Sequence, residues 1–449
     1  MRLLTRLLPG ERGRAAWQTA LAMMVARVAA TLTVLLSVPP TLDYLGPERF
    51  GIWVTISTLG ALIGFADLGL GQGLMNALAR TLGQEDPAPR SRLVMAGLWG
   101  LAFAGLLLAT LSLLLVPRLP LAVLLHLTSV EAVDEARTSV LAYLLCCAAA
   151  VAASSVARIQ LGLRLGVAGQ LWGACGTLAG LLALLLAIRL HLGMAWLVVA
   201  QFGTPVGAAL LNGWQFFSGD QRKLLVARPD AAMIRTLLGS GSLFLVVQLA
   251  TVLVMFSDNL IIAQALGPLA VTQFSVPARM FSLIDIALST TTAALMPAYA
   301  DAAASGDWAW VHATLRRSLW AVGLTAMAGA ILLNLLAPWL LRLWVGTAVR
   351  ADPLLDLLLG IWIVLVCLHT ALGMFLNGIH AARLQISVAC AFALLAIAAK
   401  PVLVRLMGLP GIPLAGCLAW LLGAGLPYLW WLRAQRRRLR SAGAEVRQR

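Results

Sequence analysis

Six charged side chains stand inside the long apolar runs of this 449-residue chain: Arg27, Asp67, Asp258, Arg279, Asp285 and Lys400. In lipid a charge at mid-depth costs roughly 2.5–3.5 kcal/mol, so each should face a cavity or a partner. A guanidinium fork suits phosphate and carboxylate oxygens, and a carboxylate held at such a depth can take up a proton or a cation. No other chemistry is spelled out. The six cysteines (Cys146, Cys147, Cys175, Cys367, Cys390 and Cys417) lie in apolar runs without CxxC spacing, and the five histidines do not pair. No metal, no cofactor and no catalytic residue is expected.

Spacing sets the depths of these charges. Pro47 marks a turn between two apolar runs, and Arg27 and Asp67 lie about 20 positions to either side. Asp258 and Arg279 lie about 10 positions to either side of Gly267-Pro268. At 1.5 Å per residue the first pair is roughly 30 Å from its turn and the second roughly 15 Å. Each pair should therefore sit level on consecutive helices. Two readings stay open for both: an ion pair that neutralises its own burial, or an anion-contacting arginine beside an acid that binds a coupling cation. Asp285, six residues beyond Arg279 and rotated about 120° from it, is the best candidate for a protonatable or Na⁺-binding carboxylate. Lys400, before Pro401, should snorkel to the outer interface, with a second cationic substrate contact as the other reading.

Membrane helices have to position these residues. The chain is 61% hydrophobic and 11% charged, with mean hydropathy +0.91, against about 45–50% and about 25% in soluble domains. A soluble enzyme, a disordered scaffold and a secreted disulfide module are excluded, since no water-soluble fold hides that much apolar surface. Apolar stretches long enough to span lie near 16–38, 50–75, 93–116, 138–157, 167–188, 194–216, 238–265, 271–296, 317–341, 354–377, 386–406 and 413–432. The predicted fold class is an all-α polytopic membrane protein of about 12 helices.

An even number of spans puts both termini on one side. About 23 of the Lys and Arg residues fall on that side and about 8 on the other, so the termini are expected in the cytoplasm. Most of the formal +15 charge is then topology, and nucleic acid is not an expected partner. The first apolar run carries Arg27 and no convincing cleavage site, so it is expected to be kept as a helix. The basic tail 433–449 reads as a stop anchor, or as a contact for anionic headgroups. The loops near 117–137 and 217–237 are too short for a folded domain. Glu131, Asp134 and Glu135 in the first of them are spaced as a solvated face rather than a catalytic set. The other polar residues in the spans (Asn259, Gln264, Gln273, Asn334 and Asn377) read singly as interhelical glue.

The chain repeats itself. Leu45-Gly46-Pro47 recurs as Leu266-Gly267-Pro268, and LMNALA at 74–79 recurs as LMPAYA at 295–300, both at an offset of 221. Arg189-Leu190 and Arg405-Leu406 close their spans at an offset of 216. Gln248 occupies the repeat position of Arg27, which marks it as a candidate polar contact. The expected organisation is a cytoplasmic N-terminus at 1–15, a six-helix bundle at 16–216, a linker at 217–237, a second six-helix bundle at 238–432 and the basic tail. Six spans per half give two parallel bundles around a central cleft, which is transporter architecture.

Here the residues also carry a resemblance. The run YLGPERFGIWVTISTLGALIGFADLGLGQGLMNALAR resembles the second-span signature of oligosaccharide flippases in the polysaccharide transporter family, within the multidrug/oligosaccharidyl-lipid/polysaccharide exporter superfamily. SDNLIIAQALGPLAVTQFSVPARMF, LMPAYADAAASGDW and GLPGIPLAGCLAW support it, over nearly the whole chain. The resemblance implies alternating-access transport of a polyprenyl-pyrophosphate-linked oligosaccharide, such as an O-antigen unit, to the outer leaflet of a bacterial inner membrane. It implies Arg27, Arg279, Lys400 and Gln248 as contacts to pyrophosphate or sugar. Asp67, Asp258 and Asp285 become ion-coupling or ion-pairing groups, with H⁺ or Na⁺, membrane lipids and other polysaccharide-assembly proteins as partners. The alternatives are a multidrug or toxin cation antiporter of the same fold and a membrane-embedded polysaccharide-assembly enzyme.

Overall fold

The computed structural model describes residues 11–63, 69–81, 88–127, 129–227, 233–237, 254, 257–293, 295–379, 381–431 and 433. Among these there is no strand, and ten segments are helices long and apolar enough to cross a membrane. The first unit of the chain carries α1 (Glu11–Ile63), α2 (Leu70–Thr81), α3 (Ala88–Leu115), α4 (Val130–Gly162), α5 (Gly166–Arg189) and α6 (Met194–Ser218). The second carries α7 (257–266), α8 (Pro268–Ala293), α9 (Met296–Ala304), α10 (Trp308–Val345), α11 (Pro353–Gly378), α12 (Ala382–Met407) and α13 (Gly411–Trp431). The boundary between the two compact units falls after Gln248, with the turn residues Gly267–Leu269 grouped with the first.

Local chemistry starts and stops the helices. Ser129 caps α4 by accepting from Ala132 N–H, and Asp307 caps α10 by accepting from Trp310 N–H. Asp352 caps α11 through Leu354 and Leu355, with Pro353 at the first helical position, where its missing N–H is harmless. Gly346 and Gly408 end α10 and α12 with positive φ. Many helix faces are apolar on the outside as well as the inside. Leu335, Leu394 and Leu406 are all more than 70% exposed, the pattern of helices solvated by lipid. The protein is a multi-pass membrane protein.

Several expected boundaries move. α1 holds the first two expected spans as two helices joined at Gly46, whose φ of 74° and ψ of 166° lie outside helical space. The second arm is described as helix as far as Ile63, and the expected span to 75 is broken at Gly69, at φ 78°, behind which α2 is a separate helix. The eighth span is described as helix to Ala293, and α9 follows from Met296 after Leu295. The expected loop 117–137 is partly helical: a 3-10 turn covers Val116–Arg118, a helical turn covers Leu121–Leu124, and α4 is under way by Val130. Most of the expected seventh span, 238–265, lies outside the described residues.

The sequence repeat reappears as repeated geometry inside each unit. Gly46 and Gly267 both hold positive φ, 74° and 88°, at the Leu-Gly-Pro turns. The LMxAxA segments pack against a glycine in each case. A Cβ on Gly162 of α4 would meet Leu78 Cβ at 2.9 Å and the Met75 carbonyl at 3.0 Å. One on Gly378 of α11 would meet Tyr299 Cβ at 2.8 Å and the Met296 carbonyl at 2.9 Å. Small residues let backbones approach closely where lipid supplies no hydrophobic drive for association. α6 and α13 each widen to one π turn, at Val199–Gly203 and Leu421–Gly425.

Candidate functional site

Within the second unit, α7 and α12 bring two of the expected charges together. Lys400 Nζ lies 2.5 Å from Asp258 Oδ1. The same ammonium donates to the Val254 carbonyl and reaches Ser257 Oγ at 3.5 Å. Lys400 is only 1% exposed and among the largest fully buried side chains. This corrects two expectations. The lysine is sealed inside the protein rather than snorkelling to the interface, and Asp258 takes Lys400 rather than Arg279 as its ion partner. Equal depth on consecutive helices was a poor guide, because depth says nothing about the direction in which a side chain leaves its helix. An ammonium buried without a counter-charge would be strongly unfavourable, and Asp258 removes that penalty.

Arg279 stands on α8, two positions past Pro277. Its carbonyl accepts from Ser282 Oγ at 2.7 Å. Its half-buried guanidinium has no hydrogen bond or ion pair among the described residues. Asp285, also on α8, accepts from Thr370 Oγ1 of α11 at 3.2 Å and lies within hydrogen-bonding reach of Cys367. Both partners belong to α11, so Asp285 is held against that helix. Arg27 is exposed on the first arm of α1, where its carbonyl accepts from Thr31 Oγ1. Asp67 and Gln248 lie outside the described residues. No group of three His, Cys, Asp or Glu able to hold a metal occurs among the described residues.

Other polar contacts were missed at the level of sequence or read only as single residues. Gln160 of α4 and Asn212 of α6 form a buried reciprocal amide pair, at 2.8 and 3.1 Å. A glutamine just past the fourth expected span and an asparagine in the sixth were the only signal available. Glu135 is not merely part of a solvated face. It pairs with Arg49, just beyond the first hairpin turn, and its Oε1 lies 3.4 Å from the Met194 N–H that opens α6. Gln273 does act as glue, donating to the Ala348 carbonyl and accepting from Arg350 N–H. Asn334 donates to the Ala330 carbonyl one turn back. A groove of about 570 Å³ beside α3, α4 and α6, lined by Trp99, Val156, Leu210 and Trp214, carries none of the expected site residues.

Comparison with solved structures places this architecture. An inward-facing multidrug resistance MATE family transporter of the MOP superfamily superposes with TM-score 0.78 at 17% identity, covering 94% of this chain and 99% of that one. A MATE protein in its bent conformation gives 0.66 at 18% identity, covering 98% of each chain. A MOP superfamily transporter from Pyrococcus furiosus, described as having a binding pocket of reverse polarity that suggests a different function, gives 0.66 at 17% identity, over 95% and 96%. No protein-family model matches the sequence, and no curated protein is similar to it. The fold is that of the MATE transporters.

Proposed function

We propose that this chain is a transporter of an anionic lipid-linked substrate, a polyprenyl-pyrophosphate-linked oligosaccharide that it moves from the inner to the outer leaflet of a bacterial cytoplasmic membrane. One observation carries the reading: the Arg279 guanidinium has no partner among the described residues, while Asp258, the acid expected level with it, is occupied by Lys400. A pyrophosphate supplies the oxyanions such a fork binds best. Arg27 on α1 is the second contact in this scheme, with Gln248 and Asp67 on the same path. The scheme takes 16–216 and 238–432 as its two six-helix halves, with both termini in the cytoplasm as the distribution of Lys and Arg implies. Each negative charge leaving a cytoplasm held at −100 mV gains roughly 2.3 kcal/mol, so the membrane potential assists the loaded step.

A second reading, export of organic cations, is favoured by the fold neighbours described as multidrug transporters. The neighbour described as having a reversed pocket polarity fits a fold that accepts substrates of either sign. Reconstitution in liposomes separates the two. Headgroup accessibility of a polyprenyl-pyrophosphate glycan is scored on each leaflet, and ethidium efflux is followed in parallel. Arg279→Ala should lower glycan translocation by about tenfold or more, the loss of one charged hydrogen-bond partner. Arg279→Lys should retain part of it, and the melting temperature of both should match the parent. No glycan movement by the parent, or unchanged movement in Arg279→Ala, would overturn the proposal. Ethidium efflux that tolerates Arg279→Ala would assign the second reading instead.

A further inference from the structure

The surroundings of Lys400 have the composition of a cation site. Three oxygens point at one ammonium: the Val254 carbonyl, the Ser257 hydroxyl and the Asp258 carboxylate. They come from positions i, i+3 and i+4, which fall on one side of a single helical turn. A lysine ammonium has three donors and no acceptor; it donates to Val254 and Ser257, and the Asp258 carboxylate supplies the counter-charge. A carbonyl, a hydroxyl and a carboxylate are also the hard oxygen ligands that bind alkali and alkaline-earth cations. One residue further along, Asn259 Oδ1 is buried and accepts no hydrogen bond from the described residues. The two partners differ in access. The Lys400 side chain is 2% exposed and that of Asp258 16%, while the Asp258 Oδ1 that faces the lysine is itself buried.

We infer that the oxygens of Val254, Ser257 and Asp258 form a monovalent-cation site that this chain fills permanently with its own Lys400 ammonium. The lysine acts as a tethered cation. It replaces an exchangeable Na⁺ at this position, which removes Asp258 from the groups able to bind a coupling ion from solution. The inference goes beyond the transport reading and does not depend on the substrate, because its readout is stability.

Replacing Lys400 with Ala removes the ammonium and three carbons, and leaves the oxygens facing the space they vacate. Parent, Lys400→Ala and the double variant Lys400→Ala/Asp258→Asn are purified in detergent. Each is melted in the chlorides of Na⁺, choline and propylammonium at equal ionic strength. Lys400→Ala should gain about 3 °C or more in Na⁺ or propylammonium over choline, as a bound cation replaces the lost one. The parent and the double variant should melt at the same temperature in all three salts. A Lys400→Ala melt indifferent to the cation would overturn the inference, as would a parent stabilised by Na⁺ in the same way. Failure of Lys400→Ala to fold in every salt, with the double variant folded, would also overturn it and leave a plain ion pair.

Discussion

Gly378 offers a perturbation whose size follows from distances. In α11 a Cβ at this position would lie 2.8 Å from Tyr299 Cβ, 2.9 Å from the Met296 carbonyl and 3.5 Å from Ala300 N. Carbon atoms in contact sit about 3.5–4.0 Å apart, and the crowded atoms are backbone or Cβ, which cannot swing away. α9 and α11 would have to separate by roughly 0.7–1.2 Å to relieve the first contact. Overpacking of this kind costs about 1–3 kcal/mol. At roughly 2–4 °C per kcal/mol for a unit of this size, Gly378→Ala should melt about 2–12 °C below the parent. The control lies five positions earlier in the same helix. A Cβ on Gly373 would meet only Gln385 Nε2 at 3.9 Å, so Gly373→Ala keeps the helix-propensity gain of up to about 1 kcal/mol and should be neutral or stabilising. Thermal unfolding of the detergent-purified variants, followed by tryptophan fluorescence, reads the difference in sign. Equal melting temperatures for the two variants would refute the packing argument. So would a drop in Gly378→Ala with none in Gly162→Ala, its counterpart against Met75 and Leu78.

Other changes separate interactions that look alike in projection. Gln160→Leu or Asn212→Leu strands one buried amide and should cost about 1–3 kcal/mol each. The double variant should recover much of that loss in the same melting assay, since both polar partners are then gone. Arg49→Ala or Glu135→Gln should cost under about 1 kcal/mol, because Arg49 is 44% exposed, and the effect should shrink further in high salt. Gly46→Ala and Gly267→Ala should each cost about 1–3 kcal/mol through the backbone alone. Both hold positive φ and neither has an atom within 4 Å of the missing Cβ, so a bulkier substitution should cost no more than alanine.

Length of apolar run, the two Leu-Gly-Pro turns and the offset of 221 were legible in the residues, because each is a local property. A run of about 20 apolar residues must cross lipid as a helix, since nothing else there satisfies its backbone. The turn glycines and the LMxAxA segments reappear as matching positive φ values and matching close approaches. Partners across helices were not legible. Counting residues from a turn gives height, and on that measure Asp258 belonged with Arg279. Rotation of each helix about its axis, set by packing between elements, gave Asp258 instead to Lys400, on a helix whose ammonium bonds a carbonyl 146 positions away. The same rotation joined Gln160 to Asn212 and turned Asp285 toward Thr370. The residues alone therefore marked which charges fall well inside apolar runs and how far along the chain each lies from its turn. Only the tertiary structure decided that Asp258 meets Lys400 and Asp285 meets Thr370, because a pairwise contact depends on the direction in which a side chain leaves its helix as well as on depth.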